Sequence, residues 1–160
     1  MQSKLYLGNL SSKRDWGHAK DYVKAMYLIL QQDIPDDYVI ATGITTEVRE
    51  FVRMAFAEAG IEIEFKGIGI EEKGYVKSIA SSELQVKIGQ EIVCVDSKYF
   101  RPTEVDLLIG DATKARTKLN WSPKYSLKEL ITEMVQSDLK LMKKELFLKQ
   151  GGYTIMNYFE

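Results

Sequence analysis

A chain of 160 residues has room for one domain or a large part of one, and its 45% apolar and 28% charged composition is that of an ordinary globular protein. The formal net charge of −1 gives no electrostatic case for a nucleic-acid or membrane-surface partner, so basic groups that hold an anion must be few and placed. One cysteine, Cys94, and one histidine, His18, leave no basis for an internal disulfide, a Cys-pair zinc site or a His-rich metal site; with no long apolar run behind Met1, the expectation is a cytoplasmic protein without signal peptide or membrane span.

Lys4 to Gly8 reads as a short strand or extended segment, and Asn9 to Lys13 as a polar loop. From Gly17 a helical pattern begins, with Ala19, Tyr22, Val23, Met26, Tyr27 and Leu30 spaced to build one apolar face, and Ile34-Pro35-Asp36-Asp37 breaks it. Tyr38 to Ala41 is a continuous apolar run, the kind of strand buried on both faces in a parallel sheet. Thr45 or Thr46 is placed to cap the next helix, which carries Val48, Phe51, Val52, Ala55, Phe56 and Ala59 inward until Gly60 stops it. Ile61 to Phe65 alternates apolar and acidic as a half-buried strand does, whereas Lys66 to Gln90 reads as a long, partly mobile loop with one or two short strands.

Glu91 to Val95 is a strand with Cys94 as a core thiol, Tyr99 to Glu104 a loop, and residues 105–109 apolar again. Asp111 is placed to cap a short helix from Ala112 to Leu119, closed by Trp121-Ser122-Pro123. Ser126 and Glu129 have capping-box spacing and open the longest helix, which Gly151-Gly152 ends before a tail. Strands alternate with helices in the first half, so the fold class is α/β with a parallel element, followed by a smaller mixed lobe.

Chemistry is sparse. Gly67-Ile68-Gly69 with Gly74 is the nearest thing to a dinucleotide turn, and its spacing and charged sequel do not suit one. No tyrosine is followed four residues later by a lysine, and one histidine makes no nucleophilic triad, so no catalytic residue is assigned. Arg14 precedes a helix and Arg101 sits between an aromatic pair and a proline. Guanidinium forks on rigid loops suit a diphosphate, although Arg14 could instead pair with Asp15, and Arg101 with Glu104.

The run from Leu7-Gly8-Asn9-Leu10 through Arg14-Asp15-Trp16-Gly17-His18-Ala19-Lys20-Asp21 resembles the R-D-W-x-x-x-x-D stretch of extended short-chain dehydrogenase/reductases acting on nucleotide sugars. Thr42-Gly43-Ile44-Thr45-Thr46-Glu47-Val48-Arg49, Tyr99-Phe100-Arg101-Pro102-Thr103-Glu104-Val105, Gly110-Asp111-Ala112-Thr113-Lys114-Ala115 and Leu119-Asn120-Trp121-Ser122-Pro123 are similar to later blocks of its GDP-mannose 4,6-dehydratase branch, the last with Asn where the family has Gly. The blocks fall in the family's order along nearly the whole chain. The family's Gly-rich N-terminal half and its Tyr-x-x-x-Lys have no counterpart in these residues, so the resemblance implies the C-terminal part of such an enzyme, inactive by itself.

The resemblance further implies an incomplete Rossmann sheet, with residues 1–60 as its trailing strand–helix units and residues 61–160 as a substrate-binding lobe. It makes Arg14 and Arg101 the grip on the GDP phosphates and Glu104 an acceptor for a ribose hydroxyl. Leu5, Tyr6 and Leu7 would lie along the guanine with Asn9 nearby, although Tyr6 and Leu7 also read as packing. His18, Trp16 and Trp121 read as packing, and Asp15, Asp21 and Asp111 as anchors. GDP-mannose is the implied substrate, NADP a cofactor held by the N-terminal half, and a homo-oligomer the implied complete state. A non-catalytic nucleotide-sugar-binding module and part of a related epimerase remain the alternatives.

Overall fold

The computed structural model describes residues 3–80, 84, 86–105 and 107–154. Its main sheet has four strands: β1 (Leu5–Leu7), β4 (Ile61–Lys66), β5 (Lys73–Ile79) and β6 (Glu91–Val95), in the order β1-β6-β5-β4. β1 runs parallel to β6, and the other two neighbours are antiparallel. The sheet thus joins residues from both sides of the expected division at residue 60. The alternation in β4 turns Ile61 and Ile63 inward, where Val76, Ile92 and Val93 meet them beneath Val52 of α2 (Val48–Glu58). Gly74 of β5 belongs to this packing: a Cβ there would stand 3.0 Å from that of Val93.

A second core is helical. Ala25 of α1 (Ala19–Leu30) and Ala115 of α3 (Thr113–Leu119) are fully buried beside Ala112, Leu119 and Trp121, so small side chains let the two helices approach closely. The Trp121 indole donates to the Asp21 carbonyl at 2.9 Å, and the buried Asp21 carboxylate accepts from Lys124 and Tyr125 N–H. α4 (Leu127–Gln150) opens on the expected capping box and lies on α2, where Glu58 accepts from Thr132 and Gln136.

Several expectations are corrected. Tyr38 to Ala41 joins no strand ladder among the described residues, because a parallel strand needs neighbours and none there lies beside it; Tyr38 and Ile40 instead pack on the helical core. The inward face of α1 is Asp21, Tyr22, Ala25, Leu28 and Ile29, so of the expected stripe Tyr22 does pack inward. Val23, Met26, Tyr27 and Leu30 are more than half exposed, because α3 packs against the alanine side. Thr45 and Thr46 cap nothing; they form β3 (Thr45–Glu47), antiparallel to β2 (Lys13–Asp15), and the first N–H groups of α2 are taken by the Ser12 and Leu10 carbonyls. The Lys66 to Gln90 stretch does hold a strand, as expected, but β5 is seven residues long and interior to the sheet rather than a short piece of a loop; residues 81–83 and 85, and the tail beyond 154, lie outside the described residues. Its Gly67 and Gly69 both have positive φ and lead into a 3₁₀ turn and then β5, not into a helix.

Asp111 accepts from the Thr113 N–H at 2.9 Å although Ala112 is the formal cap of α3. Asn120, standing where the family signature has Gly, closes that helix at φ 49°, the left-handed conformation that Asn tolerates best after Gly.

Arg49 holds both oxygens of the buried Glu72, 2.5 Å from Nε to Oε1 and 3.0 Å from Nη2 to Oε2. Arg49→Ala strands that carboxylate, and urea unfolding should show a loss of about 2–3 kcal/mol, the range for a charged hydrogen-bond partner. An unchanged midpoint would contradict it. At the surface, Asp36 accepts from Lys114 at 2.6 Å, which lowers its pKa to about 2 from the ordinary 3.8. The stabilisation is therefore complete above that ordinary value and disappears as pH falls towards 2. Carbon NMR titration should place Asp36 near 2 in the parent and return it towards 3.8 in Lys114→Ala, and an ordinary parent value would refute this.

Candidate functional site

β1 and β6 are parallel and end together, and the chain leaving them builds a cleft of about 400 Å³. Ligands in open α/β sheets bind beyond the carboxyl ends of strands, so the position is chemically apt. One wall is Leu7, Gly8 and Asn9 from the end of β1, with Ser12 and then Arg14 on β2. The other is the segment carrying Lys98, Tyr99, Arg101 and Glu104, and Val48 at the start of α2 completes it.

Arg14 lies on a strand rather than in the loop expected of it. Its position is fixed by the β2–β3 ribbon, in which it opposes Thr46. Next to it Asp15 accepts from Thr42 N–H (3.1 Å), Thr42 hydroxyl (2.6 Å) and Gly43 N–H (2.9 Å), so it anchors the turn before β3. Gly43 takes that turn at φ 80°. The Arg14 guanidinium donates to Glu104 Oε1 at 2.9 Å and to the Lys13 carbonyl at 2.8 Å. Its ion-pair partner is therefore Glu104, not Asp15. Arg101 is not paired with Glu104; among the described residues its guanidinium has no acidic partner.

Three basic side chains, Arg14, Lys98 and Arg101, and one acidic side chain, Glu104, therefore line the cleft of a chain whose net charge is −1. Such a concentration of positive charge between walls of low dielectric attracts an anion. Two forks and an ammonium match several phosphate oxygens, and Glu104, with Oε1 already accepting from Arg14 and from the Val105 N–H, keeps Oε2 for a hydroxyl donor.

Of the residues singled out in the sequence, Leu7, Asn9, Arg14, Arg101 and Glu104 come together here. Leu5 faces a separate apolar hollow with Phe56 and Ile92, and Tyr6 is exposed and lines neither. His18 is buried with both nitrogens used: Nδ1 accepts from the Lys20 N–H, capping α1, Nε2 lies 3.3 Å from Glu133, and the ring stacks on Tyr125. Trp16 stacks on Phe51, and its buried Nε1–H has no partner among the described residues. The structure adds Lys98, Tyr99, Ser12 and Val48 to the cleft. Lys98 was detectable, since it lies just past a strand's carboxyl end, where α/β folds bind ligands.

Gly8 has the tightest position at the site, since a Cβ there would lie 2.5 Å from the Tyr99 carbonyl oxygen. Gly8→Ala must push the Arg101 segment away. Thermal unfolding should show a loss of about 1–3 kcal/mol, the usual cost of overpacking. Parent-like stability would mean that the segment is not seated on β1 as described.

The sequence model of the family described as GDP-mannose 4,6 dehydratase matches residues 1–134. The GDP-mannose 4,6-dehydratase of Yersinia enterocolitica is 51% identical over 152 residues, covering 94% of this chain and 41% of that protein. The chain thus spans about two fifths of the length of the curated relatives it matches. Among solved structures, UDP-glucose 4-epimerase of Thermotoga maritima with UDP-glucose has a TM-score of 0.61 at 23% identity, over 87% of this chain and 36% of that one. RMD from Pseudomonas aeruginosa complexed with NADPH has a TM-score of 0.59 at 15% identity, over 85% and 36%. At these identities the likeness shows the fold: mixed α/β, as in part of those larger enzymes.

Proposed function

The chain belongs to the GDP-mannose 4,6 dehydratase family, and from that premise we propose that it is the substrate-holding part of an enzyme that converts GDP-mannose to GDP-4-keto-6-deoxymannose. The observation that carries the reading is the basic cleft past β1 and β6, in which Arg14 and Arg101 face one space from opposite walls. In this reading the two arginines grip the diphosphate, Glu104 accepts from a ribose hydroxyl, and Leu7 borders the guanine. Binding the remote GDP then spends its energy on placing the hexose for reaction.

The redox chemistry belongs to NADP, which accepts and returns a hydride when bound. The described residues do not fit that cofactor, because the Gly67 turn runs into β5 and offers no helix N-terminus to a pyrophosphate. The cofactor and the Tyr-x-x-x-Lys are therefore assigned to the part of the family's length that these 160 residues do not include. A complementary segment would also cover apolar surface, since Val23, Met26 and Leu30 of α1, Val39, and Leu107 to Ile109 are all more than half exposed. α1 and the 38–41 run then supply trailing units of the cofactor-domain sheet, whereas β1 belongs with residues 61–95 in the substrate lobe. A cytoplasmic enzyme that is a homo-oligomer when complete fits this reading; no helix among the described residues is long and apolar enough to cross a membrane.

Calorimetry with GDP and with guanosine tests the assignment. The chain should bind GDP, and Arg14→Ala and Arg101→Ala should each weaken that binding by about 1.5–3 kcal/mol while leaving guanosine nearly unchanged. Variants that hold GDP as tightly as the parent would overturn it. The purified chain with added NADP should form no 4-keto product from GDP-mannose, and detecting that product would refute the assignment of catalysis to another segment.

A further inference from the structure

We infer that Asn9 is a positioning residue, which sets the Arg101 arm and does not itself touch the ligand. The inference rests on the reading of the cleft as a diphosphate site. Asn9 Oδ1 accepts from the Arg101 N–H at 2.8 Å, and Asn9 Nδ2 donates to the Arg101 carbonyl at 2.8 Å. A carboxamide used in this way copies the two-way pairing of one strand residue with another. It extends the β1–β6 neighbourhood past the point where both strands have ended. An asparagine reading a base would spend the same donor and acceptor on the base, and here Arg101 has taken one of each.

The rest of the segment is seated by similar means. The Asp96 N–H donates to the Leu7 carbonyl at 2.9 Å, and the N–H groups of Tyr99 and Phe100 both donate to the Asp96 carbonyl. Gly8 allows the Tyr99 carbonyl to lie against the β1 end without a Cβ in the way. The backbone that carries Arg101 is thus fixed before any anion arrives, and only the side chain remains to be ordered. Presetting an arm in this manner lowers the entropic cost of binding. The sequence resemblance put Asn9 near the guanine, and the bonding pattern gives it a different task.

A double-mutant cycle read by calorimetry with GDP separates the two tasks. Asn9→Ala should weaken GDP binding about tenfold, the effect of having to order one long side chain and its backbone on binding. In the Arg101→Ala background the same change should have no further effect, because no arm is left to place. Amide exchange should accelerate at Arg101 in Asn9→Ala while Val93 and Cys94 in β6 keep their protection. If Asn9→Ala does not fold, Asn9→Gln, with the same groups one methylene further out, is read in the same cycle. Additive losses in the double variant would show that Asn9 meets the ligand directly and would overturn the inference alone. A parent chain that does not bind GDP would overturn the reading of the cleft, and the inference with it.

Discussion

β1 and β6 run parallel, with Leu5 opposite Val93 and Leu7 opposite Val95. Parallel partners leave a sheet on the same side, so residues far apart in sequence emerge next to each other there. Gly8 and Asn9 follow one strand, and Lys98 to Arg101 follow the other. Everything in the cleft depends on that pairing: the close approach at Gly8, the Asn9 bonds to Arg101 and the Arg14–Glu104 contact all join the first fifteen residues to a segment roughly ninety residues later. The pairing is in turn held by packing, because Val93 is fully buried in one core with Val52, Ile63 and Val76, and its neighbours Ile92 and Cys94 are buried as well.

Around this sheet the molecule is uneven. The face under α2 is a packed apolar core, and α1 and α3 form a second one through small side chains. Between them run polar ties, such as Asp21 on the 124–125 backbone and His18 against Tyr125 and Glu133. Beyond them, apolar side chains of α1 and of residues 107–109 face outward. Asp15, clasping Thr42 and Gly43, brings the end of the 38–41 run next to β2 and so near the cleft wall. The unladdered run is thereby tied to the strand that carries Arg14.

Local signals in the sequence decide the structure where the local reason is also the whole reason. The capping box of Ser126 and Glu129, the Gly60 stop and the alternation in Ile61 to Phe65 all appear as expected, because each is fixed within a few residues. Elsewhere a distant partner decides. Thr45 and Thr46 look like caps, yet carbonyls from Leu10 and Ser12 satisfy α2 and free those threonines for a ribbon. Tyr38 to Ala41 looks like a buried strand, and a strand needs neighbours that periodicity cannot supply. The α1 stripe holds as a pattern but, Tyr22 apart, not as a buried face, since Ala25 is what meets α3. At the site, residue types point to Arg14 and Arg101 and only the family resemblance to Glu104, and which arginine pairs with Glu104 is a matter of tertiary geometry.

In the proposed site two guanidinium groups meet one diphosphate. NMR observation of the arginine Nε–H resonances during titration measures this directly. With GDP, the Arg14 and Arg101 signals should shift together along one saturating curve, Arg53 and Arg116 should stay still, and guanosine should move none of them. A GDP titration that leaves Arg14 and Arg101 unmoved, or that shifts Arg53 in the separate hollow beside β4 instead, would contradict it.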